Sequence, residues 1–210
     1  MNNLFLEGPI QTGKSTLIRK LLKARKDVGG FTVQRMSFPT KGEEKRTGFR
    51  LMAADAPIKA HTCVTATDDN LIASDGVFKL VGPKGSKVNL EVFETKGVEL
   101  LKQALKDAKA GKIKLVLLDE IGGHELACKK FCKALDELLD SVIPCVGVIK
   151  QYNDAKKMDA SIAEANKELH KKITGPKGEH GEILYYERGD EKVRNALNHF
   201  INGSSGGGFF

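Results

Sequence analysis

Two hydrophobic rhythms alternate along the chain. Short, nearly all-apolar runs at Leu4 to Leu6, Ile113 to Leu118, Val146 to Ile149 and Ile183 to Tyr186 keep no polar face for water, and so read as strands buried on both sides. Between them apolar residues recur at steps of three and four. Leu17, Ile18, Leu21 and Leu22 share one helical face, and similar spacing predicts helices from Glu94 to about Ala110, Glu125 to Leu139, Ala160 to Lys171 and Glu191 to Ile201. Strands alternating with helices predict an α/β fold whose mainly parallel sheet is flanked by helices on both faces.

Two stretches depart from this rhythm. After Gly29 and Gly30, Phe31 and Val33 alternate with polar neighbours, and Phe49 and Leu51 do the same beyond a Pro-Thr-Lys-Gly-Glu-Glu turn region, which predicts an inserted β-hairpin. Residues 60 to 93 hold the β-like runs HTCVTAT, VFKLV and KVNLEVF, parted by Asp, Gly and Pro, and are expected to form short strands. A length of 210 residues suits one domain, here 1–202, followed by a flexible Gly/Ser tail at 203–210 that ends in Phe-Phe.

Composition narrows the function classes. With 40% hydrophobic and 29% charged residues the chain is globular, and no apolar run nears the roughly 20 residues a bilayer span needs. The start, MNNLFLEGPI, lacks a signal peptide's basic flank, so a cytoplasmic location is expected. Four cysteines, Cys63, Cys128, Cys132 and Cys145, show no paired metal-ligand spacing and are expected to be reduced thiols. His124, Cys128 and Cys132 would share a face if their segment were one helix, which leaves a zinc site as an alternative to buried free cysteine. The net charge of +7 favours phosphate-bearing partners. Nucleic acid is not favoured, because the lysines are dispersed among carboxylates, Trp is absent and no aromatic-basic cluster offers a stacking platform.

The sharpest chemical signal is Gly8-Pro9-Ile10-Gln11-Thr12-Gly13-Lys14-Ser15, which satisfies G-x-x-x-x-G-K-[ST] between the first predicted strand and helix. Such a P-loop wraps backbone N–H groups around a β-phosphate. Lys14 then reaches the β and γ oxygens and Ser15 ligates Mg²⁺. The second signal, Lys114-Leu115-Val116-Leu117-Leu118-Asp119-Glu120, is an apolar strand ending in two carboxylates. Asp119 suits the Walker B role of holding Mg²⁺, and Glu120 can take a proton from the water that attacks the γ-phosphate. Asp119-Glu120-Ile121-Gly122 also fits an Asp-x-x-Gly pattern, in which the Gly122 N–H would sense the γ-phosphate. No Asn-Lys-x-Asp guanine-reading motif occurs, so low base selectivity is expected.

The order of these motifs resembles the cancer-related and thermophile nucleoside-triphosphatases, a family of single-domain P-loop proteins. The likeness rests on LFLEGPIQTGKSTLIRKL, the hairpin GGFTVQRM with KRTGFRL, the segment VNLEVFE, and LVLLDEIGGHEL followed by CKKF, with weaker support from ILYYERGDEKVRNAL. It implies a RecA-like sheet and slow Mg²⁺-dependent hydrolysis of ATP, GTP and other NTPs to NDP and phosphate, with the nucleotide site running from Gly8 through Thr16, Asp119 on magnesium and Glu120 as the catalytic carboxylate. The chain departs from the family pattern at Gly123-His124, where Lys-Met is usual, and from Gln151 to Gly181, where the usual connection is shorter. A monomer with no membrane partner is expected.

Two other classes of function share the P-loop. A nucleoside or nucleotide kinase would close an arginine-bearing lid over the phosphates, yet no arginine lies between Leu51 and Glu187. A nucleotide-switched, nucleic-acid-associated adaptor would use hydrolysis only to reset a binding surface. Arg35, Arg46, Arg50 and Arg194 are the arginines weighed for an approach to the γ-phosphate, against a bland surface or ion-pair role.

Overall fold

The computed structural model describes residues 2–37, 47–54, 63–65, 76–83, 85–175 and 180–203, with the backbone alone for 63–65. Its strands are β1 (Asn3–Glu7), β2 (Val28–Ser37), β3 (Thr47–Ala53), β4 (Cys63–Thr65), β5 (Val77–Gly82), β6 (Gly85–Val88), β7 (Leu115–Ile121), β8 (Cys145–Ile149) and β9 (Gly181–Tyr185). The α-helices are α1 (Lys14–Leu22), α2 (Val98–Lys109), α3 (Lys129–Leu139), α4 (Tyr152–Lys156), α5 (Ala160–Thr174) and α6 (Glu191–Gly203).

All strands join one sheet in the order β6-β5-β3-β2-β7-β8-β1-β9, with β4 paired to β2 off this path. From β2 to β9 every neighbouring pair is parallel. The β2–β3 hairpin that the alternation predicts then turns the sheet antiparallel, with Val33 opposite Leu51. The hairpin tip, with its Pro-Thr-Lys-Gly-Glu-Glu run and Arg46, lies outside the described residues. One strand, β8, separates the strand that feeds the P-loop from the strand that carries the acidic pair. This is the RecA-like arrangement that the motif order implies.

The parallel strands are apolar throughout because successive side chains feed two cores. Val116 and Leu118 of β7 point to one face, with Phe5, Phe31 and Ile149, and are covered by α2, α3 and α5. Leu115 and Leu117 point to the other, with Leu4, Leu6 and Val148, and are covered by α1 and α6. Phe131 of α3, fully buried, sits 6.0 Å from Phe31 and 5.8 Å from Phe93 between ring centroids.

Three readings of the pattern change. The run KVNLEVF is strand only as far as Val88: the Asn89 side chain accepts a hydrogen bond from Glu91 N at 3.1 Å, and the chain coils through a π-helical turn (Phe93–Gly97) into α2. A local side-chain-to-backbone hydrogen bond thus competes with the strand ladder at this point. The helix forecast from Glu125 is broken. A 3₁₀ turn (His124–Ala127) precedes α3, and Cys128 between them is extended at φ −100°, ψ 99°. The tail reading shifts by one residue, since Gly203 still belongs to α6, and 204–210 lie outside the described residues. Of HTCVTAT, only 63–65 are described, as β4. Among the described residues no helix is long and apolar enough to cross a membrane.

Candidate active site

The turn between β1 and α1 has the geometry to receive an anion. Gly8 at φ 138° and Gly13 at φ 95° take left-handed conformations that cost other residues energy, and Gln11 between them also has positive φ, 66°. Gly13 is the N-cap of α1, no side chain caps that helix, and no acid occupies its first turn. The amides at its start are therefore left for a ligand, at the positive end of the helix dipole. Lys14 Nζ donates to the carbonyls of Gly8 at 2.8 Å and Pro9 at 2.7 Å, so its side chain bridges the turn. Burial holds the Lys14 ammonium below its ordinary pKa, while the negative charge of Glu120 pulls the other way.

Across a cavity of about 480 Å³ from this turn stands the end of β7. Every residue forecast for the nucleotide site lines that cavity except Pro9 and Thr12, which shape the turn through a 3.0 Å bond from Thr12 Oγ1 to Pro9 O. Ser15 Oγ donates to Asp119 Oδ1 at 2.6 Å, and Thr32 Oγ1 donates to Asp119 Oδ2 at 3.2 Å. Burial pushes the Asp119 carboxyl above the ordinary range, and Arg19, whose Nη1 lies 4.0 Å from Oδ2, opposes that shift along with Ser15. Glu120 follows through a cis peptide, and its side chain, 40% exposed, opens to the cavity where water can reach it.

A sequence profile described as NTPase matches residues 3–174. The chain belongs to this NTPase family. Relatives named "Nucleoside-triphosphatase THEP1" include one from Aquifex aeolicus, 28% identical over 70% of this chain and 74% of that protein. Another, from Thermotoga maritima, is 25% identical over 90% of this chain and 99% of its own length, and one from Methanocaldococcus jannaschii is 26% identical over 81% and 94%. The crystal structure of THEP1 from Aquifex aeolicus superposes with a TM-score of 0.58, covering 95% of this chain and 96% of that one at 20% identity, which shows the shared fold.

Several residues around the cavity of this NTPase belong to no motif in the sequence. Lys150, the first residue beyond β8, places Nζ 2.6 Å from Glu120 Oε1. Burial works against its charge, yet the negative charge and hydrogen bond of Glu120 hold Lys150 above the ordinary lysine value. Its signal lay in its position: in a doubly wound sheet, ligands gather at the carboxyl ends of the strands. Arg188, past β9, donates from Nη2 to the P-loop carbonyl of Gln11 at 3.2 Å, and Arg19 of α1 turns to Asp119. Of the arginines weighed from sequence, Arg35 lines the cavity, Arg50 donates to Gln34 Oε1 at 2.6 Å, and Arg194 pairs with Glu191 at 3.1 Å.

The loop after the acidic pair is held from two sides. Buried Glu125 accepts from Gly123 N at 2.8 Å, and fully buried Asn166 of α5 donates from Nδ2 to Gly122 O at 3.0 Å and to Lys150 O at 2.9 Å. Gly123, rather than Gly122, lines the cavity, because Gly122 faces Asn166. The segment from Gln151 to Gly181 thus supplies a clasp joining the ends of β7 and β8. His124, Cys128 and Cys132 do not converge: His124 Nε2 lies 3.4 Å from Lys79 Nζ, whereas Cys128 Sγ and Cys132 Sγ donate to Leu90 O and Leu126 O at 3.5 and 3.4 Å. Among the described residues Cys128, Cys132 and Cys145 are free thiols, and no group of three His, Cys, Asp or Glu side chains forms a metal cluster.

Proposed function

We propose that this NTPase hydrolyses nucleoside 5′-triphosphates to diphosphate and phosphate in a Mg²⁺-dependent reaction of low base selectivity. The reading is carried by the 2.6 Å contact between Ser15 and Asp119, which sets the phosphate-binding turn against the acidic strand end. Two hard oxygen donors, one a fully buried carboxylate, converge there, and that chemistry suits Mg²⁺. Ser15 would hold the ion directly and Asp119 directly or through its water shell. Bound there, it would supply positive charge that offsets the negative charge of the phosphate chain.

The chain's own groups do the rest. The N–H groups opening α1 cradle the β-phosphate, and Lys14 exchanges the Gly8 and Pro9 carbonyls for β and γ oxygens. Glu120 accepts a proton as water oxygen bonds to the γ phosphorus. The bond from that phosphorus to the β–γ bridging oxygen breaks, and its electron pair leaves with the diphosphate. Low base selectivity follows from the missing guanine-reading motif.

The test is phosphate release from each NTP, with and without Mg²⁺ and with a panel of nucleosides and monophosphates as acceptors. Glu120→Gln should bind Mg-NTP as the parent does yet turn over about 10²- to 10⁴-fold more slowly. A phosphorylated acceptor in place of free phosphate, or parental turnover by the Glu120→Gln protein, would reject the reading.

A further inference from the structure

We propose that Lys150 is a catalytic residue of this NTPase, a lysine finger built into the chain that neutralises the charge on the γ-phosphoryl group as it transfers. This rests on the hydrolytic reading above.

Position comes first. Because β8 lies between β1 and β7, the residue leaving its carboxyl end emerges between the P-loop and the acidic pair. Lys150 is that residue, and it lines the cavity with Lys14 and Glu120. Its main chain is fixed on both sides: Lys150 N donates to Ile121 O at 2.8 Å, and Lys150 O accepts from Asn166 Nδ2 at 2.9 Å. A Cβ at Gly123 would fall 3.2 Å from Lys150 Cε, so the bare glycine leaves the path along which the lysine reaches inward.

Charge comes second. Lys150 is fully charged at neutral pH, and its present partner is the carboxylate assigned to the water. At 2.6 Å that ammonium occupies Glu120 Oε1, so this oxygen is engaged for as long as the pair stands. The γ-phosphoryl group, entering between Lys14 and Glu120 with more negative charge than one carboxylate, draws the ammonium onto its own oxygens. That single exchange frees Glu120 for the water and places a cation where negative charge is redistributed in the transition state.

Three other cations near the cavity have partners of their own among the described residues. Arg19 donates to Ser15 O at 3.1 Å and faces Asp119, and Arg188 binds the outer rim of the P-loop at Gln11. Lys79 lies against His124, and burial, with Lys150 nearby, lowers its pKa.

The test compares the full chain with Lys150→Met, which keeps the stem and removes the charge, Lys150→Gln, and Lys150→Arg. Phosphate release gives kcat and KM. A fluorescent nucleoside diphosphate with Mg²⁺, with and without aluminium fluoride, reports affinity for a mimic of the transferring phosphoryl group. Lys150→Met and Lys150→Gln should lower kcat at least about 10²-fold, below the 10³ to 10⁵ credited to an arginine finger because lysine is a point charge. KM and diphosphate affinity should change less than about threefold, the tightening by aluminium fluoride should vanish, and Lys150→Arg should recover part of kcat. Parental or faster turnover by either neutral variant overturns the proposal, as does equal weakening of diphosphate binding in both. A parent that releases no phosphate rejects the hydrolytic reading itself, whereas an active parent with unchanged variants rejects Lys150 alone.

Discussion

Ser15 Oγ lies 2.6 Å from Asp119 Oδ1, although one stands in the first turn of α1 and the other near the end of β7, two places from β1 in the sheet. The contact satisfies a fully buried carboxylate, and it brings together the two side chains that would share a metal ion.

Removing that hydroxyl therefore has two readable effects. Ser15→Ala should raise the KM for Mg-NTP about tenfold or more and shift the Mg²⁺ requirement of hydrolysis upward, since a hydrogen bond to a charged group contributes about 1.5–3 kcal/mol. Titrating Mg²⁺ at fixed NTP checks this. An unchanged magnesium curve would remove Ser15 from the metal site.

The central strand depends on Gly147. It pairs with Phe5 on one side and Leu118 on the other, and a Cβ there would sit 2.1 Å from Leu118 O and 2.9 Å from Phe5 Cε1. The first of these is backbone and cannot rotate away, so the sheet itself must shift. Gly147→Ala should destabilise the fold by about 1–3 kcal/mol or more, read from urea unfolding midpoints, and should lower activity because Lys150 and Glu120 ride on the strands it pushes apart.

Stability should also depend on pH through His124. Burial first, then the charges of Lys79 and Lys150, hold its folded pKa below the ordinary 6.5. The unfolded chain then takes up the proton first as pH falls, so stability is intact above pH 6.5 and is lost progressively below it, down to the folded value. Urea melts between pH 7.5 and 5 should show this decline in the parent, and His124→Gln should flatten it. Equal slopes in the two proteins would place the pH dependence elsewhere.

What the sequence determined by itself was local or periodic. The P-loop is contiguous because a phosphate is gripped by successive amides, so Gly8 to Ser15 could be read directly. The apolar runs at β1, β7 and β8 declare themselves because a strand buried on both faces keeps no polar period, and the hairpin followed from alternation at Phe31, Val33, Phe49 and Leu51, though its register did not. Only the tertiary structure decided which distant side chains meet. Lys150 looked like any lysine after an apolar run until β8 settled between β1 and β7, and Asn166 like any helix-surface amide until α5 packed it against Gly122 and Lys150. The hydrophobic pattern is blind to such pairings, because it records whether a residue avoids water, whereas the site depends on where the sheet order carries each polar chain end.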